Sequence, residues 1–340
     1  LLSLLRGKNV EILNGIRDPR RLRPGQVLPL AVVSVRIAAY LVERSRRLAS
    51  AQFIARLVSA AEITGVEPRI PLDDETIARL REVFDERSVL VFPDLDIDEE
   101  FQRYLVYALV GQEPPAEVQE RSHRPGPMLV SNRAEDGAAP YGRLLFHCDT
   151  MWAESPQPII SLYGVSVVDS SAPTQFVSMG AAWDTLPDEL RARVADLRAS
   201  HGQLEGGYPN RGGGDDVQDT HFDQSRSTIT PVALLHPRTG RPMLYVSQQC
   251  TIEILDLPED EMEELLAELF EHLYAPDRVL EHHWREGDLV IWDNVAVQHG
   301  RGTVDLNGAE RTLRKVFGPL TLTDADREQM IPTFSKVAER

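Results

Sequence analysis

The sequence predicts a mainly β protein with flanking helices, of the double-stranded β-helix (jelly roll) class, on two observations. Short apolar strands separated by turn residues crowd the second half of the chain. Helical patterns are set before and between those strands, with no internal repeat and no regular strand-helix alternation. At 340 residues, with 42% hydrophobic and 26% charged residues, the chain can bury a large core and is ordinary for a folded protein.

Taken in order, residues 32–61 place Val33, Ile37, Leu41, Leu48, Ile54 and Leu57 at helical spacing and read as one or two amphipathic helices. Asp73-Asp74-Glu75-Thr76 is an acidic helix start, and the helix should run to about residue 86. Residues 88–93 form a buried strand stopped by Pro93, and a second helix covers about 98–110. From 112 to 141 Pro, Gly, Arg and Glu dominate around a brief apolar island at 128–130, so this long connection reads as a lid or binding loop, with a surface excursion as the competing reading. Strands at 158–168 and 174–178 precede helices at about 180–185 and 188–197. Residues 202–228, with Gly212-Gly213-Gly214, read as a flexible insertion. Strands resume at 229–235, 243–247, 279–284, 289–292 and 312–317, around an acidic helix at about 258–274.

The net charge of -17 argues against nucleic acid as a partner. That charge is uneven: residues 1–56 carry eleven Lys/Arg against three Asp/Glu, while the remainder carries 25 against 50. Residues 1–56 are therefore expected to be a basic, partly helical N-terminal extension, residues 57–325 the main domain and residues 326–340 a C-terminal tail. The apolar run at 27–35 is too short to span a bilayer and contains Pro29, so no membrane association is expected. Two cysteines and the lack of a secretory leader pattern suit the cytoplasm.

The chemistry gathers at Leu144-Leu145-Phe146-His147-Cys148-Asp149 and at Val297-Gln298-His299. On a strand, alternate side chains share a face, so His147 and Asp149 point together and Cys148 turns away. His299 would complete a two-His, one-carboxylate set of the kind that holds non-haem Fe(II) on one side and leaves the opposite positions open. A His-x-Asp pair by itself is weak evidence. Its setting after an apolar strand, with His299 following another and Arg311 opening a last one, strengthens it.

With those residues the chain resembles the taurine dioxygenase-like Fe(II)/2-oxoglutarate-dependent dioxygenases. The resemblance covers about residues 60–320. It rests on Ala61-Glu62-Ile63-Thr64-Gly65-Val66, Pro71-Leu72-Asp73-Asp74, Val89-Leu90-Val91-Phe92, Phe146-His147-Cys148-Asp149, Thr174, Trp292-Asp293-Asn294 with Gln298-His299, and Arg311-Thr312-Leu313-Arg314-Lys315. It implies that His147, Asp149 and His299 ligate iron, and that Arg311 and Thr174 hold the distal carboxylate of 2-oxoglutarate. A planar guanidinium suits that carboxylate through two charge-assisted bonds. The family often has a second Arg four residues after the first, which in some members binds an anionic substrate; here that place is Lys315. The chain also departs in having Ser171-Ala172-Pro173 where a glycine-rich approach is common.

The resemblance implies an oxidoreductase that uses Fe(II), 2-oxoglutarate and O2 to oxidise, most simply to hydroxylate, a C–H bond of a small molecule that could be anionic, releasing succinate and CO2. Arg143, Trp152 and Lys315 are the substrate-contact candidates, each with packing or surface pairing as its competing role. His282-His283 reads as ordinary strand, because strand neighbours face opposite sides. Two other classes compete: a catalytically silent β-helix that binds a ligand or partner, and a metal enzyme that does not use 2-oxoglutarate. Whether the chain forms a homo-oligomer is left open.

Overall fold

The computed structural model describes residues 34–37, 60–114, 127–135, 137–169, 171–202, 209–218 and 227–319. In chain order the elements are β1 (Ser34–Ile37), β2 (Ala61–Thr64), α1 (Asp74–Arg87), β3 (Val89–Phe92), α2 (Glu99–Leu109), β4 (Met128–Ser131), β5 (Gly142–His147), β6 (Ile159–Val167) and β7 (Thr174–Ser178). There follow α3 (Met179–Asp184), α4 (Asp188–Val194), β8 (Arg198–His201), β9 (Thr228–Pro231), β10 (Ala233–Leu235), β11 (Pro242–Leu244) and β12 (Thr251–Ile254). The last are α5 (Glu259–Leu273), β13 (Leu280–His282), β14 (Leu289–Asp293), β15 (Val297–Val304) and β16 (Arg311–Phe317).

Two sheets matter for function. One has seven strands in the order β1-β2-β3-β14-β6-β16-β4, the other four in the order β13-β7-β15-β5. Strand β14 shows how they are layered. Val290 and Trp292 face a core shared with Phe176 and Val297 of the smaller sheet, whereas Leu289 and Ile291 face the opposite way, onto residues of α1 and α2. Strict alternation on a strand buried on both faces gives one continuous apolar run with two destinations. The outer side of the smaller sheet, through Val177, is covered by a third core that includes α3 and α5.

Local chemistry explains the helix ends. Asp73 caps α1 by accepting from the Thr76 N–H and hydroxyl, both at 2.8 Å. Asp98 does the same for α2 through the Phe101 N–H at 2.8 Å.

The structure revises several expectations. Ser34–Ile37, expected to be helical, is a strand antiparallel to β2; its alternation of apolar residues serves a two-residue period as well as a helical one over so short a span. The island at 128–130 is β4, an edge strand on β16 rather than part of a loop. Strands β8 and β12 fall where none was expected and pair with each other. Within 202–228, Arg211 is buried and ion-paired with Glu263 of α5, so residues 209–218 are anchored. The basic runs at 17–23 and 44–47, and the tail at 326–340, lie outside the described residues. Among the described residues no helix is long and apolar enough to cross a membrane.

Candidate active site

Strand β15 sits between β7 and β5, and this placement assembles the site. His299 is opposite His147 on β5 and opposite Phe176 on β7. Cross-strand partners share a face, and Phe176 belongs to the core between the sheets. Both imidazoles therefore point inward, with ring centroids 4.2 Å apart. Trp292 supports His299 from the other sheet at 4.9 Å between rings.

Asp149 does not come from the strand itself, as the alternation argument expected, but from the turn just after β5. Cys148 does turn away, into the core beside α5, where it is buried. Asn294 holds the Asp149 turn: its side chain accepts from the Asp149 N–H at 3.0 Å and donates to the Asp149 and Gln157 carbonyls at 2.9 and 2.8 Å. In the sequence Asn294 stands within Trp292-Asp293-Asn294, and no local pattern marks its role.

One ligand-type atom from each of His147, Asp149 and His299 lies within 4.8 Å of the other two. Asp149 Oδ1 is 3.3 Å from His147 Nε2 and 3.6 Å from His299 Nε2. His147 Nδ1 is 2.7 Å from the Leu145 carbonyl, an acceptor only, so Nδ1 carries the hydrogen. In the neutral ring the Nε2 lone pair then faces a carboxylate oxygen, an arrangement that calls for a proton or a metal ion between them. Burial, with the charges of His147 and Lys315, pushes the His299 imidazole well below its ordinary range, leaving it neutral as a ligand must be. Burial also opposes ionisation of Asp149, but Lys315 and the two histidines outweigh it and hold the carboxyl well below the usual range. Two imidazoles and one carboxylate whose Oδ1 faces them are a donor set that fits Fe(II).

Lys315 is brought to the site, though onto Asp149: Nζ pairs with Oδ2, leaving Oδ1 to the histidines. Arg311 and Leu313 share its inward face, while Arg314 turns outward to Gln102 Oε1 at 2.7 Å. Arg311 is buried, donating to the Ala172 carbonyl at 3.0 Å and to Thr174 Oγ1 at 2.9 Å. Trp284 Nε1 donates to the same hydroxyl at 2.9 Å. Two donors occupy both lone pairs of Thr174 Oγ1, so its own hydrogen remains to be donated. Among the described residues no carboxylate lies within ion-pair distance of Arg311. Burial, followed by the charge of Arg301, pushes its pKa well down.

Arg143 is not joined to this cluster. Its guanidinium is taken by Asp216 at 2.6 and 3.1 Å and by the Gly212 carbonyl at 2.6 Å, which fastens residues 212–216 beside β5. Trp152 is buried in the turn region after Asp149. His282, the cross-strand partner of Thr174, meets Asp288 at 3.4 Å, and His283 meets Glu281 at 3.7 Å.

The chain is similar to known proteins. Residues 50–317 match the family model described as Taurine catabolism dioxygenase TauD, TfdA family. The chain is 29% identical to an alpha-ketoglutarate-dependent 2,4-dichlorophenoxyacetate dioxygenase of Cupriavidus pinatubonensis, over 78% of this chain and 95% of the relative. It is 27% identical to an (S)-phenoxypropionate/alpha-ketoglutarate-dioxygenase of Sphingobium herbicidovorans, over 70% and 84% respectively. Its fold is similar to the crystal structure of a taurine dioxygenase from Burkholderia xenovorans, with a TM-score of 0.60 and 24% identity over 78% of this chain and 90% of the other.

Proposed function

Because the chain belongs to the TauD, TfdA family and is an alpha-ketoglutarate-dependent dioxygenase, an oxidoreductase using Fe(II), 2-oxoglutarate and O2, we propose that it hydroxylates a C–H bond of a small molecule with an anionic end. The proposed catalytic unit is a double-stranded β-helix, or jelly roll, spanning residues 57–325, with 1–56 as a basic extension and 326–340 as a tail. Two facing sheets around a shared core support that assignment. We also assign it to the cytoplasm, in keeping with two buried free thiols.

His147, Asp149 and His299 are the proposed iron ligands, and Arg311 with Thr174 the proposed holders of the distal carboxylate of 2-oxoglutarate. When bound, these groups supply the oxygen chemistry: one atom of O2 ends in succinate as 2-oxoglutarate loses CO2, and the other enters the substrate C–H bond. The protein binds and orients. Asn294 fixes the backbone of Asp149, Lys315 takes the outer carboxylate oxygen, and Leu145 fixes the His147 tautomer. Trp292, Phe176 and Leu313 keep the interior dry, which strengthens every charged contact within it.

One observation carries the reading. Arg311 is a buried cation with no described carboxylate, joined to a hydroxyl whose hydrogen is free, on the same interior face as the His-Asp-His cluster. A buried charge is ordinarily paired, and a carboxylate-bearing cosubstrate supplies the missing partner. The anionic end of the primary substrate is assigned to Lys315, whose ammonium has donors left after Asp149. Trp152 is assigned to the substrate wall, and Arg143 acts on it by holding residues 212–216. The two relatives named for phenoxyalkanoate substrates favour this substrate class.

The test begins with anaerobic protein, Fe(II) and 2-oxoglutarate, read by the visible metal-to-ligand charge-transfer band. Oxygen is then admitted, and succinate is measured with a panel of small carboxylates, phenoxyacetates among them, and their neutral amides. Expected are a band lost in the His147→Ala/Asp149→Ala double variant, and succinate stimulated by a carboxylate that gains one oxygen by mass. Equal turnover of acids and amides would sink the anionic assignment, and no band would sink the whole reading.

A further inference from the structure

We propose that Arg301 is a second cationic contact for the distal carboxylate of the cosubstrate, working beside Arg311; this rests on the 2-oxoglutarate-dependent reading above. Arg301 lies on β15 two residues beyond His299 and opposite Thr174 on β7. Residues two apart on a strand, and partners opposite one another, share a face. Arg301, His299 and Thr174 therefore all address the interior between the sheets.

The side chain is 4% exposed. It donates to the carbonyls of Ala139 at 2.8 Å, Tyr141 at 3.0 Å and Gly142 at 2.9 Å. Its Nε is buried with no hydrogen-bond partner. Carbonyls satisfy donors but do not neutralise charge, and among the described residues no carboxylate lies within ion-pair distance of Arg301.

The interior thus holds two buried guanidinium groups placed at Thr174, Arg311 by a hydrogen bond and Arg301 by strand register, with no described carboxylate within ion-pair distance of either. Such a pair is unfavourable until an anion joins it. A two-bond pair with Arg311 and one bond from Thr174 fill three of a carboxylate's four lone-pair sites, and the Arg301 Nε is a buried donor without a partner on the same face. The competing role, merely fastening residues 139–142 ahead of β5, uses the other two nitrogens and leaves both the charge and Nε unexplained.

The experiment compares two ligands on anaerobic Fe(II)-loaded protein by charge-transfer titration. One is 2-oxoglutarate; the other is 2-oxopentanoate, which keeps the 2-oxo acid end and lacks the distal carboxylate. Arg301→Gln is expected to weaken 2-oxoglutarate at least tenfold while leaving 2-oxopentanoate within about twofold. The ratio of the two affinities on one preparation cancels any inactive fraction. Should the Gln variant fail to fold, Arg301→Lys decides, because an ammonium cannot copy the guanidinium fork; its ratio is expected to fall at least threefold. An unchanged ratio in the variant that folds, including equal weakening of both acids, overturns the proposal. A wild-type protein with no 2-oxoglutarate band fails the functional reading itself, whereas a normal wild-type band with an unchanged variant ratio removes only the role of Arg301.

Discussion

Asn294 grips both backbone polar groups of Asp149, accepting from its N–H at 3.0 Å and donating to its carbonyl at 2.9 Å. The contact fixes the turn that carries the carboxylate without occupying either carboxylate oxygen. Partners of this kind set ligand orientation, and their loss typically costs 10–100-fold in metal affinity. Asn294→Ala should therefore raise the Fe(II) or Co(II) dissociation constant by about that factor, measured by chelator competition. An affinity equal to wild type would show that the turn holds itself.

Thr174 accepts from both Trp284 and Arg311 at 2.9 Å. Thr174→Val keeps the shape but strands two buried donors, so the protein should lose about 1–3 kcal/mol of stability, seen as a lower urea midpoint. The lost hydroxyl donor should also weaken 2-oxoglutarate about tenfold, in the range of a charge-assisted bond. Anaerobic ligand titration checks this independently of turnover.

Asp293, immediately before Asn294, is buried and receives His236 Nε2 at 3.2 Å together with the Arg238 guanidinium. Burial opposes its ionisation, but His236 and Arg238 prevail and its pKa is lowered. His236 Nδ1 accepts from the Arg238 and Thr239 N–H groups, which fixes the hydrogen on Nε2. Asp293→Ala leaves His236 without its anion, while Arg238 keeps its pair with Asp85. The expected cost is about 2–4 kcal/mol, below the full value for a buried pair because Arg238 is partly in solvent. Metal affinity should fall with it, since Asn294 follows directly; equilibrium unfolding and metal titration on one preparation test both.

His201 is buried between Thr230 and Thr251, and burial lowers its pKa to about 3. The folded state therefore resists a proton that the unfolded chain takes up below about 6.5. More protons on the unfolded state mean that stability rises with pH, so this contribution is complete above about 6.5 and is lost progressively as pH falls toward 3. His201→Gln should flatten the dependence of unfolding free energy on pH within that window. An unaltered slope would mean that another group governs it.

Much of this was legible in the residues. Helices α1 and α2 announced themselves by Asp73 and Asp98 at their starts, and β14 by an unbroken apolar run. The inward set of β16 followed from alternation alone: Arg311 and Lys315 on one side, Arg314 on the other. Strand β15 was harder to see, because Val297-Gln298-His299-Gly300-Arg301-Gly302 interleaves glycines with the polar groups that do the chemistry, and so breaks the pattern that marks a buried strand. Arg301 was missed for the same reason. Strand β4 was hidden by the polar chain around it, since an edge strand is held by backbone hydrogen bonds to β16 that leave little trace in side-chain pattern.

The sequence by itself determined a mainly β fold and the family, and it offered the candidate groups of the site, because periodicity, capping and a spaced set of His, Asp, Thr and Arg are local properties that survive without coordinates. Only the tertiary structure decided which groups face one another. That Lys315 lies on Asp149, that Asn294 clamps the ligand turn, that Arg143 is tied to Asp216 and that two arginines share an interior with no described carboxylate within ion-pair distance of either all depend on strands far apart in sequence being brought into register. Pairing across a sheet is set by the packing of whole faces, and no single stretch of chain carries that information.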